Sequence, residues 1–167
     1  MLYKFHHLDN LPSLPEDIIK EGLTSNFRYV EFPVSNSATS ILFKNSKFYK
    51  LLLGQFGQAD ATFLKIAPMT LYNWHMDKGR RCAINWVIKT NPKALTLFRD
   101  NAEWQAIHKI EEVDYIMYKP TLINTMHRHC VINCYPEERI ILSVSVNERY
   151  SFDEVKEFLQ SLDIKEY

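Results

Sequence analysis

The segment ERIILSVSVNE, residues 138–148, places Ile140, Leu142, Val144 and Val146 on one face and Arg139, Ile141, Ser143 and Ser145 on the other. That period of two belongs to an extended strand and to no helix. Other segments read the same way. FRYVEFPV (27–34) is a strand that Pro33 assigns to an edge or an end. ATFLKIAP and TLYNWHMD are strands broken by Pro68, and VDYIMYKP and RHCVINCY are two more. CAINWVIK and ALTLFRD, joined by TNPK, are expected to form a hairpin. AEWQAIHKI fits either a strand or a helical turn.

Helical signals frame this β-rich stretch. SLPEDIIKEGL offers Ser13 as a cap, Glu16 three residues later and Gly22 as a stop. NSKFYKLLLGQF is a second helix ending near Gly54 or Gly57. SFDEVKEFLQSL closes the chain with a Ser151–Glu154 capping box and an apolar stripe of Phe152, Val155, Leu159 and Leu162. Short strands at this spacing suggest a sandwich or barrel, with the helices covering one outer face. The 167 residues suit a single domain, 1–167.

Composition narrows the function classes. At 46% hydrophobic, the chain can build a sizeable core. Twenty basic residues balance twenty acidic ones, which argues against a dedicated nucleic-acid binder while leaving a local basic patch open. The N-terminal MLYKFHHLDNLP lacks a signal-peptide core, and no stretch approaches the roughly 20 apolar residues of a membrane span. Cys82, Cys130 and Cys134 cannot all pair within the chain. A cytoplasmic protein is the economical expectation; oligomeric state is left open.

The chemistry concentrates in two places. His75 and Asp77 are i and i+2 on an expected strand, so both leave one face with their Cα atoms about 6 to 7 Å apart and can converge on one ion. A third ligand must come from elsewhere, and NTMHRHCVINCY offers His127 and His129. Two His and one carboxylate form the facial triad of non-haem Fe(II) oxygenases, which keeps open positions for cosubstrate and dioxygen. A 2-oxoglutarate cosubstrate also needs a cation for its far carboxylate, and an Arg fork holds a carboxylate bidentately. Arg139 follows His129 by ten residues.

This set, His75-x-Asp77, His129 and Arg139, resembles the 2-oxoglutarate/Fe(II)-dependent oxygenase superfamily. HCVINCYPEERIILSVSV resembles the end of the aspartyl/asparaginyl β-hydroxylase branch, with His129, Val131, Asn133, Arg139, Ile140 and Leu142 matching in order, and APMTLYNWHMDKGRRCAIN resembles that branch's approach to its first ligand. The resemblance covers about residues 63 to 147. Asp77 departs from that branch, which often lacks the carboxylate, and is similar to prolyl hydroxylases. The resemblance implies a double-stranded β-helix, that is, a cupin-like jelly roll, with flanking α-helices. It implies Fe(II) held by His75, Asp77 and His129, and 2-oxoglutarate held by Arg139, with Asn85, Tyr72 and Ser143 as further contacts. It also implies O2 as oxidant, succinate and CO2 as products, and hydroxylation of a peptidyl or free amino-acid side chain or a similar small substrate. The first 60 residues and the loop 99–115 are then the places for substrate recognition.

Other readings stand beside these. His75 and Asp77 also fit a solvated strand end or a simple His–Asp pair. Arg139 also fits a surface residue bridged to Glu137 or Glu138. Asn85, inside an apolar strand, needs either a cosubstrate carboxylate or a backbone group, and Tyr72 fits the core as well as the pocket. Arg81 is a further candidate for the site, beside a plain surface role. Trp74 and Trp86 flank it but fit a core role. His127, His129, Cys130 and Cys134 can be drawn as a zinc cluster, although the spacing is unusual. His6 and His7 fit an exposed position. The rival function is a non-enzymatic, cupin-like metal-binding jelly roll with a vestigial site; a nucleobase substrate is a third reading.

Overall fold

A computed structural model describes residues 4–30, 35–100 and 109–167. These form, in chain order, β1 (Phe5–His7), α1 (Glu16–Thr24), β2 (Arg28–Val30), β3 (Ser35–Thr39), α2 (Ile41–Asn45), α3 (Lys47–Phe56), β4 (Ala59–Ile66), β5 (Thr70–His75), β6 (Cys82–Lys89), β7 (Ala94–Arg99), β8 (Ile110–Glu112), β9 (Pro120–Asn124), β10 (His129–Asn133), β11 (Arg139–Val146) and α4 (Phe152–Ser161).

β11 is central. It pairs antiparallel with β4 from Arg139↔Ile66 to Val146↔Ala59 and with β6 on its other side. Around it a seven-stranded sheet runs β1-β9-β6-β11-β4-β3-β2, and a four-stranded sheet runs β5-β10-β7-β8. β2 lies at the edge, as FRYVEFPV suggested, although Pro33 itself falls outside the described residues. From β4 onward the chain passes repeatedly between the sheets, which is the jelly-roll winding expected above.

The two faces of β11 divide the molecule. Ile140, Leu142, Val144 and Val146 join the main core with Phe43, Phe48, Leu52 and Phe56 of α2 and α3 and Phe152, Val155 and Leu159 of α4. Helices therefore pack on the outer face of the large sheet. Among the described residues a small cluster, Ala83, Phe98, Val113 and Ile123, is buried in the space between the sheets. The rest of that space is the cavity into which Arg139, Ile141, Ser143 and Ser145 face. Apolar burial is thus concentrated on one side of the large sheet, leaving its other side for polar work.

Local chemistry explains several element ends. Ser151 caps α4 and Glu154 completes the box. Ser46 caps α3, and Gly57, at φ 71°, ends it in the left-handed conformation that glycine adopts freely. α2 was not anticipated. Ser40 caps it, and the Glu21 carboxylate accepts from Ile41 N at 2.8 Å.

Four expectations are corrected. Pro15, not Ser13, occupies the N-cap of α1, with no side-chain cap. Gly22 lies buried inside α1 rather than stopping it: a Cβ there would approach Ile88 Cδ1 and Phe63 Cε1 to 2.8 Å, so glycine lets the helix sit against the sheet. β6 and β7 are not a hairpin, because the turn carries the chain from one sheet to the other. Val113–Lys119 is irregular, with Tyr118 at φ 64°, and the strand begins only at Pro120. Residues 102–108 of AEWQAIHKI (102–110) lie outside the described residues; Ile110 begins β8. Among the described residues no helix is long and apolar enough to cross a membrane.

Candidate metal centre and its pocket

β5 and β10 are neighbours, and their register sets His75 opposite His129. The two imidazole centroids are 4.2 Å apart. Asp77 is not on the strand, as the i, i+2 reading assumed, but just beyond the end of β5. A loop brings it back. Gly79 turns at φ 82°, Asp77 N donates to Thr125 O, Thr125 N donates to Arg81 O, and the Thr125 hydroxyl donates to Arg80 O at 2.9 Å. Thr125 is fully buried, so three hydrogen bonds pin this loop to a rigid point.

The result is a convergent donor set. Asp77 Oδ1 lies 3.4 Å from His75 Nε2 and 3.6 Å from His129 Nε2, and the three ligand atoms all fall within 4.8 Å of one another. His75 Nδ1 bonds the Asn73 carbonyl at 2.7 Å, and His129 Nδ1 bonds the His127 carbonyl at 3.0 Å. In a neutral imidazole those carbonyls select the Nδ1–H tautomer, the one that leaves Nε2 free to ligate a metal. Two imidazole nitrogens and a carboxylate oxygen converging on one point suit a cation, and N2O donors suit a first-row transition metal. Burial alone raises the Asp77 carboxyl, but its contacts with His75 and the Arg80 guanidinium outweigh burial and hold it down at about 2. Burial lowers the His129 pKa, favouring the neutral, ligating form.

Arg80 takes the other carboxylate oxygen. Its Nε donates to Asp77 Oδ2, and its Nη1 donates to Ser143 Oγ at 3.2 Å. Tyr72 stacks on the His75 ring with centroids 3.6 Å apart, and Phe98 lies 5.4 Å from the His129 ring. Burial, and then the Asp77 charge, push the Tyr72 phenol up to about 12, so it stays protonated at neutral pH.

Elsewhere in the same cavity of about 830 Å³ stands Arg139, only 2% exposed. Its Nη1 donates to Thr96 Oγ1 at 3.1 Å and its guanidinium lies 5.1 Å from the Tyr115 ring centroid. Its Nε has no partner, and no carboxylate of the described residues pairs with it. Glu137 and Glu138, the partners a surface Arg139 would use, pair with Lys89 instead. Burial depresses the Arg139 pKa against the opposing effect of Tyr115 and Glu112. A buried cation without a counter-ion is costly, and a ligand carboxylate answers it. Asn85 lies beside this end, with Nδ2 on the Tyr115 hydroxyl at 3.2 Å and Oδ1 unpartnered. The reversed amide has Tyr115 donating to Oδ1 and presents Nδ2 to an anion.

The structure brings together His75, Asp77, His129, Tyr72, Asn85, Ser143 and Arg139 around one cavity. It leaves out others. His127 sits in the turn before β10 and contributes its carbonyl; the remaining members of the zinc cluster disperse, with Cys130 buried and Cys134 exposed. Among the described residues, His75–Asp77–His129 is the group able to hold a metal ion. Arg81 is exposed, and its neighbour Arg80 reaches the site. Trp86 is in the helix-side core, and Trp74 lies 5.0 Å beneath Arg99. His6 and His7 are half-buried, the latter bonded to Thr121. The sequence reading missed Arg80, Thr96, Tyr115 and Thr125; only the spacing of Arg80 from Asp77 (i, i+3) hinted at any of them.

No family model matches the sequence, and no curated protein does. Solved structures do. HygX from Streptomyces hygroscopicus, with nickel, 2-oxoglutarate and hygromycin B bound, superposes with a TM-score of 0.60 at 7% identity over 88% of this chain and 84% of that one. A prolyl hydroxylase from Trichoplax adhaerens, in complex with a hypoxia inducible factor peptide, gives 0.59 at 14% identity over 97% and 88%. A prolyl-4-hydroxylase from Pseudomonas putida gives 0.57 at 12% identity over 89% and 94%. At these identities the likeness establishes the architecture: the chain folds as the double-stranded β-helix with flanking helices that 2-oxoglutarate/Fe(II) oxygenase structures share.

Proposed function

We propose that this protein is a 2-oxoglutarate- and Fe(II)-dependent dioxygenase that hydroxylates a C–H bond of a small or peptidyl substrate. The observation that carries the reading is the pairing of two features in one cavity: a His75–Asp77–His129 donor set and a buried Arg139 that pairs with no carboxylate among the described residues. A plain metal-binding jelly roll has no need of the second feature. The resemblance in sequence points to an amino-acid side chain as the C–H source, and the three free cysteines suit a reducing setting such as the cytoplasm.

Each residue then has a defined task. His75 and His129 present Nε2 to the metal, steered by the Asn73 and His127 carbonyls. Asp77 presents Oδ1, with its second oxygen held by Arg80. Arg139 and Thr96 take the far carboxylate of 2-oxoglutarate, with Asn85 beside them. Tyr72 covers one imidazole face, and Ser143, on β11 of the large sheet, accepts from Arg80 at the edge of the metal group. Fe(II) with 2-oxoglutarate and O2 supplies the oxidation, releasing succinate and CO2; the chain's own work is to bind, orient and exclude water.

Thermal unfolding tests the reading. Ligands that bind only the folded state stabilise it by about 2.7 kcal/mol at a concentration 100 times Kd. Mn(II) with 2-oxoglutarate should raise Tm more than either alone, while Ca(II), which prefers all-oxygen sites, should do little. A melting curve unmoved by every transition metal contradicts the proposal.

A further inference from the structure

The inner face of the large sheet carries a row of hydrogen-bonding side chains where a sandwich core would be apolar. Directly opposed residues share a face, and the registers align His7, Thr121, Asn85, Ser143, Thr62 and Thr39 across six consecutive strands. At the usual strand spacing this row is about 24 Å long. Its β9–β6 half is closed, with Thr121 and Asn85 buried. Its β4–β3 half is open, with Thr62 half-buried and Thr39 exposed. Ser145, opposite Asp60, and Ser37, opposite Leu64, widen the open half into a shelf. The cavity of the candidate metal group and a second cavity of about 520 Å³ both reach Ser37 and Thr62, so the shelf leads directly away from the metal group.

Existing hydrogen bonds fix what the shelf can offer. Ser143 Oγ accepts from Arg80, which leaves its hydroxyl proton to donate. The Thr62 hydroxyl donates to Asp60 Oδ2 at 3.1 Å, which leaves its lone pairs to accept. Asp60, paired with Lys44 at 2.8 Å, can only accept. A ligand must therefore present an acceptor to Ser143 and donors to Thr62 and Asp60. A carboxylate or phosphate meets acceptors there. An apolar chain strands several hydroxyls without partners. No shelf residue is aromatic, so a nucleobase finds no stacking surface. Groups that both give and take a hydrogen bond fit.

We infer that this shelf binds an uncharged, polyhydroxylated substrate, a sugar or a glycoside, beside the metal group. This deepens the oxygenase reading, on which it rests, and assigns a different substrate class from the amino-acid side chain of the sequence resemblance.

Methyl NMR on threonine-labelled protein loaded with Zn(II) and 2-oxoglutarate tests it. The probes are glucose, maltose and myo-inositol, set against glucose 6-phosphate and a capped neutral tripeptide. Glucose 6-phosphate is included because Arg28 stands opposite Ser37, at the outer edge of the shelf. The neutral polyols should shift the Thr62 and Thr39 methyls saturably, and Thr39→Val and Ser145→Ala should each weaken that binding about tenfold, the loss of one hydrogen bond. Thr39 is exposed, so its substitution does not endanger the fold. Shifts from the phosphate or the tripeptide without the polyols, silence with all three polyols, or binding indifferent to both variants overturns the inference. Thr96, bonded to Arg139, reports separately on 2-oxoglutarate. Silence at Thr96 removes the oxygenase reading and the substrate role with it; a Thr96 shift with a silent shelf removes the shelf alone.

Discussion

Replacing Arg139 by Met should have opposite effects on stability and on cosubstrate binding. In the ligand-free protein Arg139 is 2% exposed, has one hydrogen bond to Thr96 and leaves Nε unpartnered. An apolar side chain of similar length removes that buried charge, and replacing buried charges with packed apolar groups stabilises proteins by about 1 to 4 kcal/mol. Binding moves the other way. A 2-oxoglutarate carboxylate buried without its cationic partner loses about 3 to 5 kcal/mol, on the order of 10² to 10³ or more in affinity. Arg139→Lys should recover only part, because one ammonium cannot make two parallel hydrogen bonds. Urea unfolding of the metal-free proteins reads the first effect. Calorimetric titration of 2-oxoglutarate into Mn(II)-loaded, oxygen-free protein reads the second. Arg139→Met that is less stable than wild type, yet binds 2-oxoglutarate equally well, would refute both halves of the reasoning.

His75→Ala, Asp77→Ala and His129→Ala should each abolish Mn(II) binding measured by electron paramagnetic resonance, whereas His127→Ala, which keeps its carbonyl on His129, should retain it. Thr125→Val removes the hydroxyl that holds the Asp77 loop and should weaken metal binding about 10- to 100-fold in the same measurement, as loss of a supporting partner does. Gly22→Ala should destabilise by about 1 to 3 kcal/mol in urea despite alanine's better helix propensity, because its Cβ meets Ile88 and Phe63 at 2.8 Å; a more stable variant would show that the helix moves aside freely. Tyr167→Phe leaves the Trp86 indole N–H without its acceptor at 3.0 Å and should lower stability by about 1 to 3 kcal/mol in the same assay.

What was legible in the sequence was periodic or local. The alternation of β11 gave both of its faces, and the Ser151–Glu154 pair gave the start of α4, because each depends on neighbours within a few residues. His75 and His129 could be placed on strands, but their meeting depends on the β5–β10 register, which no local pattern encodes. TNPK reads as a turn whether the flanking strands pair or pass to different sheets, so the hairpin expectation failed. The choice of Arg80 over Arg81 is made by the loop around Gly79, which lies beyond β5 and so escapes the alternation that would put Arg81 on the Asp77 face. Thr96 and Tyr115 reach Arg139 from β7 and from the irregular stretch after β8, so nothing in their spacing from residue 139 marks them. The polar row is visible in β11 as Ser143 and Ser145, but its extension through Thr62 and Thr39 exists only once the sheet is assembled.

The most direct test of the oxygenase reading is succinate formed from 2-oxoglutarate by the Fe(II)-loaded protein in air, compared with Asp77→Ala. Asp77 supplies the carboxylate oxygen nearest both imidazoles, so its loss removes one donor of three while the Arg139 end of the cavity is untouched. The account predicts succinate from the wild type, increasing with a productive substrate, and only background from Asp77→Ala. Equal, background-level succinate from both proteins, with and without the polyol probes, would contradict it.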